Sequence, residues 1–267
     1  MPADPPFENT TYPCRDIIRA TDPTAFTGLT YVGEGERDVW DWRVGSGTRL
    51  TFVLYNATYD DGMMVEIRVE RDTFKEQAEY YAGKYSKPFG QLPTGVRTRV
   101  RALSIMTGIQ PWGGGLDDIT IHNGIVYELT NELEETLLHE AAHTSLTDYN
   151  LSAEWKAAQQ ADNTFISEYA RDNPEREDVA ESYVAYLAVR YRADRISESV
   201  ADLISRTIPH RIAFFDAQQL PMHPIAPRRP LPKTAIEQMA LHNRGINPQN
   251  QSYEPQEQAN WPFMQEL

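Results

Sequence analysis

The stretch "TLLHEAAHTSLTDY", residues 136–149, sets two of the chain's six histidines four positions apart, with a glutamate directly after the first. Wound as an α-helix at about 100° per residue, the segment separates into two faces. Leu133, Leu137, Leu138, Ala141, Ala142 and Leu146 cover most of the circumference, as expected of a helix packed into a core. His139, Glu140 and His143 share the remaining stripe with Thr136. A solvated polar edge is one reading. The spacing says more: imidazoles at i and i+4 converge on one point with a carboxylate beside it, the geometry for a zinc ion plus a general base. At this chain's composition such a five-residue match arises by chance in roughly one chain in a hundred.

A catalytic zinc site takes three protein ligands and leaves one position for water. None of His210, His223 and His242 lies near the spacing of H-E-x-x-H-x-x-G-x-x-H, and residues 146–149 are Leu-Thr-Asp-Tyr, which excludes that pattern. A carboxylate is the expected third ligand. In "DNPEREDVAESYVAYLAVRY", residues 172–191, Asn173 with Pro174 predicts a helix start and a helix running to about Tyr191. On its wheel Glu177 and Glu181 fall within about 40° of each other. They share that face with Ala180, Val184, Leu187, Ala188 and Tyr191, while Arg176 and Arg190 lie elsewhere. Carboxylates aimed into a core are costly unless paired or bound to a metal. Glu177 is therefore expected as the ligand, and Glu181, one turn on, as the outer acceptor that fixes a ligand histidine's N–H.

Taken together, His139-Glu140-x-x-His143, the following "TDY" and then "ISEYARDNPEREDVAES" resemble the gluzincin metallopeptidases. The similarity is to the branch typified by anthrax lethal factor and the Pro-Pro endopeptidases. There a Tyr-Ala/Gly segment precedes a Glu-x-x-Ala-Glu helix whose first Glu binds zinc. By position, the resemblance implies that Glu177 is the zinc-binding Glu, Glu181 the second Glu, and Tyr169 the tyrosine that leans over the zinc. It also implies a zincin-like fold, in which strand, helix and strands precede the active-site helix and an edge strand borders the cleft.

The order of elements agrees with that expectation. "MMVEIRVE" (63–70) reads as a strand and "DTFKEQAEYYAGKYS" (72–86) as a helix capped by Asp72, with Phe74, Ala78, Tyr81 and Tyr85 on one face. Strands follow near 101–107 and 117–122, then the H-E-x-x-H helix from about residue 131. "DDITIH" would be the edge strand that pairs with an extended substrate. Its His122 faces either the cleft or the surface, and "PWGGG" is either a flexible rim or a tight bend. Upstream, "GLTYVG", "RDVWDWRV" and "RLTFVLYNATY" read as strands separated by turns. The expected architecture is α+β. Residues 1–60 form a β-rich extension, 61–225 the zincin-like catalytic domain with a helical C-terminal part, and 226–267 a Gln/Pro-rich surface segment.

Composition bounds the partners. With 267 residues and 40% hydrophobic content the chain can bury a sizeable core. A net charge of −14 without a long basic stripe argues against nucleic acid and anionic membranes. No apolar run is long enough to cross a bilayer, and "MPADPPFENTTY" has neither the basic nor the apolar part of a signal peptide. The chain is then either intracellular or a mature form; sequons at Asn9, Asn56, Asn150 and Asn250 favour secretion. Cys14 is the only cysteine, so neither an internal disulfide nor a Cys-based zinc site is available. The leading expectation is a secreted Zn2+-dependent endopeptidase acting on peptide or protein substrates. In it Glu140 takes the proton of the attacking water and Tyr169 steadies the oxyanion. The alternatives are a zincin-fold binding protein without turnover, and a zinc hydrolase of a non-peptide amide. An open cleft favours peptides, and a closed pocket small molecules.

Overall fold

The computed structural model describes residues 4–10, 16–122, 127 and 130–226. Cys14, His242, the Asn250 sequon and all but the first residue of the expected C-terminal segment lie outside them. The architecture is mixed α+β, with strands in the N-terminal part and helices in the C-terminal part. β1 (Phe26–Asp41), β2 (Ser46–Tyr59) and β3 (Met64–Glu70) lead into a short helix α1 (Arg71–Phe74), α2 (Ala78–Phe89) and α3 (Thr94–Arg97). β4 (Ala102–Met106), β5 (Gly113–Gly114) and β6 (Asp118–His122) complete one six-stranded sheet in the order β1-β2-β3-β4-β6-β5. Then come α4 (Leu133–Leu146), α5 (Ala153–Asp162), α6 (Glu168–Asp172), α7 (Asp178–Tyr191), α8 (Glu198–Thr207) and α9 (Pro209–Gln218). β3, β4 and β6 run parallel, and the remaining neighbours are antiparallel.

Two upstream strands expected from the sequence are one. β1 spans "GLTYVG" and the first five residues of "RDVWDWRV", and its register against β2 slips between Tyr31 and Gly33. Gly33 sits at φ 133, a conformation open to glycine, so the apparent turn is a bulge inside a strand. β2 then pairs with β3 from Phe52↔Glu70 to Thr58↔Met64. Residues 1–60 thus contribute β1 and β2 to the same sheet as β3 to β6, and position 60/61 falls in the β2–β3 hairpin, where Gly62 has φ 87. The helix expected over 72–86 is broken by a 3-10 turn, Lys75–Gln77. Asp72 does not cap it: the first helix opens at Arg71 with Glu70 at the N-cap, and Asp72 lies in its first turn, paired with Arg71 at 2.9 Å.

β3 is buried on both faces. Val65, Ile67 and Val69 have no exposure and join the main core with α2, α4 and α7. Glu66, Arg68 and Glu70 alternate onto the other face and are neutralised there, by Arg68 and Arg37 on Glu66 (2.6 and 2.7 Å) and Arg43 on Glu70 (2.9 Å). α4 is apolar around most of its girth and packs on α7, α3 and α2. α9 packs on α5 and α7, and its Arg211, fully buried, joins Asp162 (2.9 Å) to Asp178 (2.8 Å). Among the described residues no helix is long and apolar enough to cross a membrane. Of the described sequons, Asn9 is exposed, Asn56 half-buried and Asn150 buried.

At the start of α4, Glu135 is fully buried and accepts the Ile18 N–H at 3.0 Å, tying the N-terminal lead to the site helix. Burial pushes its carboxyl up to about 8, against the pull of the N–H groups of Ile18 and its neighbours. The native state therefore holds a proton that the unfolded chain releases between the ordinary value of 4.5 and about 8, so stability falls as pH rises through that window. Glu135→Gln keeps an acceptor for Ile18 and removes the ionisation. Its melting temperature should lose the wild-type decline between pH 5 and pH 8, each kcal/mol amounting to about 2–4 °C for a chain of this size. Parallel melting-temperature profiles for the two proteins would show that Glu135 carries no such burden.

Candidate metal centre

α4 carries His139 and His143 one turn apart, and α7 delivers Glu177 to them. The delivery differs from expectation. α7 begins at Asp178, not at Asn173, and residues 173–177 form a turn closed by the Glu177 N–H on the Asn173 carbonyl at 2.9 Å. Glu177 occupies the N-cap position with helical angles, so Glu181 still stacks one turn below it, its N–H on the Glu177 carbonyl at 2.9 Å. The pairing of the two acids on one face survives the shift in helix start.

The three expected ligands come together. Nε2 of His139 and Nε2 of His143 are 2.9 Å apart, and Glu177 Oε2 lies 3.3 Å from the first and 2.8 Å from the second. Ligands about 2.0–2.1 Å from a tetrahedral zinc stand roughly 3.3 Å from one another, so this triangle is close to one face of such a site. Glu177 has no exposure, yet its Oε2 receives no well-directed hydrogen bond. An orphaned, buried carboxylate oxygen facing two imidazole nitrogens fits a cation and is otherwise expensive. The three groups can hold a metal ion.

Around the triangle each acid has a separate anchor. Glu181 Oε1 stands 3.2 Å from His139 Nδ1, and its Oε2 accepts the Ser167 hydroxyl at 2.6 Å. Ser167 is itself the N-cap of α6, accepting the Ala170 N–H at 3.1 Å. Glu140 Oε2 accepts the Gly114 N–H at 2.6 Å. Tyr169, on α6, shares a hydrogen bond with Glu177 and takes another from Arg176 Nη2 at 3.3 Å. Residues 7–9 brace that tyrosine's backbone: the N–H groups of Glu168 and Tyr169 bond the carbonyls of Phe7 and Asn9 at 3.0 and 2.9 Å.

Arg176 corrects the wheel. Placed away from the acids by a helix starting at Asn173, it instead lies in the turn, with Nε 2.7 Å from Glu177 Oε1. Sequence reasoning also missed Ser167 and Gly114. Ser167 was legible as a cap residue opening a short helix; Gly114 had no signal of its own beyond the glycine run.

Charge at the site favours a cation. Burial works against ionising Glu177, but the charge of His143 and the approach of both imidazoles outweigh it and hold the carboxyl far below its usual range. Burial likewise opposes a charged His139, yet Glu177, Glu181 and Glu140 together raise its pKa well above the ordinary histidine value. Burial, and then the charge on Glu177, push the Tyr169 phenol up, so at neutral pH it remains a hydrogen-bond donor.

The edge of the sheet beside the site is β5, not β6. Gly113 and Gly114 pair with Thr120 and Ile119 and so cover the edge expected of "DDITIH". Trp112 anchors the run: it is buried against Tyr85 and donates from Nε1 to the His122 carbonyl at 3.2 Å. Only glycine fits next, because a Cβ at 114 would run into the Glu140 carbonyl oxygen. "PWGGG" is therefore an anchored edge strand rather than a loose rim or a bend. His122 lies neither in the cleft nor on the surface; it is buried with Nδ1 2.8 Å from the Thr107 carbonyl. A cavity of about 610 Å³ beside Arg99, Arg101, Leu116, Ser145 and Tyr149 is lined by none of His139, His143 and Glu177. Ser145 projects roughly 160° from His143 around α4, so that cavity is on the helix's other side.

Comparison with known proteins leaves the site to its own chemistry: no family model matches the chain, and neither a curated protein nor a solved structure matches it.

The two acids separate by what their oxygens touch. Glu177→Ala is expected to lose most zinc after dialysis at neutral pH, whereas Glu181→Ala, which removes the support of His139 and the acceptor of the Ser167 hydroxyl, should weaken affinity by about 10–100-fold. Metal content and chelator competition on both variants would check this, and the opposite ranking would exchange their roles.

Proposed function

We propose that the protein is a zinc-dependent endopeptidase of zincin-like fold, of the kind seen in the gluzincins. The observation that carries the reading is the convergence of His139, His143 and Glu177 on one point, with Glu140 anchored beside them. A zinc ion bound there supplies a water of near-neutral pKa and polarises the scissile carbonyl.

The chain's own residues would do the rest. Glu140, one oxygen fixed by Gly114, would accept the proton of the attacking water and return it to the leaving amine. Tyr169 would turn its O–H from Glu177 toward the developing oxyanion, where a donor acts mainly on the transition state. Glu181 would keep His139 in the tautomer that presents Nε2 to the metal. The order of β3, α2, β4, β6, α4 and α7 supports the zincin-like reading, and an edge strand lying against α4 supports an extended peptide as the substrate. The exposed sequon at Asn9 supports a secretory route.

A digest of denatured casein or a peptide library, with and without a chelator and alongside metal analysis, tests the reading. Zinc bound without chelator-sensitive cleavage would replace it with the binding-protein alternative. Glu140→Gln should retain fold and zinc and abolish turnover, since the amide keeps the shape but cannot take the proton. Activity near wild type in that variant would end the general-base role.

Tyr169→Phe isolates the hydroxyl. It should lower kcat by about 10²–10³-fold with KM little changed, the usual loss for one oxyanion donor. A tyrosine that only packs between Glu177 and Arg176 would show a lower melting temperature at unchanged kcat, so the two measurements on one variant distinguish the roles.

A further inference from the structure

Glu177 has a neighbour on each of its two oxygens. Oε2 is the oxygen that faces the imidazoles, at 2.8 and 3.3 Å, while Oε1 takes the guanidinium of Arg176 at 2.7 Å. A second branch of the same guanidinium, Nη2, reaches the Tyr169 hydroxyl at 3.3 Å. This is not an ordinary surface ion pair. Its acid has no exposure, its arginine is one-third exposed, and one planar group spans a ligand and the tyrosine beside it.

A carboxylate can bind a metal through one oxygen or both. An oxygen engaged in a short, charge-assisted bond is held out of that competition. The second contact also orients the phenol. With Arg176 donating to the Tyr169 oxygen, that hydroxyl's own proton is the group left to donate.

We infer that Arg176 is a positioning residue of the metal centre: its Nε holds Glu177 Oε1 aside, so that Glu177 ligates through Oε2 alone and a coordination position stays open, while its Nη2 orients the Tyr169 hydroxyl. The inference rests on the metal-centre reading and adds a residue that touches neither metal nor substrate. Lysine should reproduce only half of the role, since a compact ammonium offers a point charge to Oε1 but lacks the planar fork that spans to Tyr169.

The test uses the full chain loaded with cobalt(II), whose visible absorption is stronger at four-coordinate than at five-coordinate sites. Affinity is read by chelator competition, and metal-free melting temperatures report folding. Wild type should give the intense four-coordinate spectrum. Arg176→Ala should bind cobalt about 10–100-fold more weakly, the usual cost of losing an outer partner. Its bands should also weaken as Oε1 joins the metal. Arg176→Lys should recover most of the affinity and band intensity, since its ammonium still offers a charge to Oε1. Should the Ala variant fail to fold, Arg176→Gln, close in length and uncharged, takes its place with the same expectation. Wild-type affinity and spectrum in the Ala or Gln variant would overturn the assignment while leaving the metal centre intact. No cobalt bound to wild type would overturn the metal centre, and this inference with it.

Discussion

Two carboxylates one turn apart, at 0% and 1% exposure, are the constraint around which this molecule is arranged. Glu177 and Glu181 have both lost their water, which is costly for carboxylates without partners. The surroundings supply partners. His139 bridges the pair, with Nε2 toward Glu177 and Nδ1 toward Glu181; His143 faces Glu177; Arg176 and Ser167 each take one of the outer oxygens. Oε2 of Glu177 is left without a directed hydrogen bond, and that atom faces both imidazoles.

Holding that arrangement draws on parts of the chain far apart in sequence. The residue after Glu177, Asp178, is fixed by buried Arg211 from α9, and Arg211 is fixed in turn by Asp162 at the end of α5. Burial works to raise the Asp178 carboxyl, and the Arg211 charge beside it offsets only part of that, so the pair serves for location more than for net stability. On the other flank, Phe7 and Asn9 bond the backbone of Glu168 and Tyr169. The N-terminal lead therefore acts on the site by bracing α6, a role that its polar, proline-containing composition did not suggest.

The part of the site legible in the sequence obeyed a rule of spacing. The i, i+4 histidines and the i, i+4 acids depend only on helical repeat, and they survived even though α7 starts beyond the Asn173-Pro174 signal, at Asp178. Arg176 did not survive that error, because a residue in a turn does not follow the wheel. The edge strand was misplaced for a different reason. Strand propensity rests on side chains that fit a pleated surface, and Gly113 and Gly114 have none. Their pairing is imposed by Trp112 and by the closeness of α4, both tertiary effects. Likewise the glycine-containing stretch in β1 looked like a turn, since a bulge and a turn ask for the same backbone freedom.

Glycine at 114 also explains how the proposed base is placed independently of Glu177. Because no side chain intervenes, the backbone of β5 comes close enough to α4 for the Gly114 N–H to bond Glu140 Oε2 at 2.6 Å. The base is thereby referenced to the sheet through the pairing of β5 with β6, whereas Glu177, Glu181 and Tyr169 are referenced to the helical half through Arg211, Ser167 and the N-terminal lead. α4 belongs to both frames, since His139 and His143 project from the same helix as Glu140. A shift of α7 relative to the sheet would open the distance between Glu177 and the histidines without moving Glu140 from Gly114. The placement of Glu177 against the histidines and that of Glu140 against Gly114 are thus set at two interfaces, and among the described residues α4 is the helix common to both.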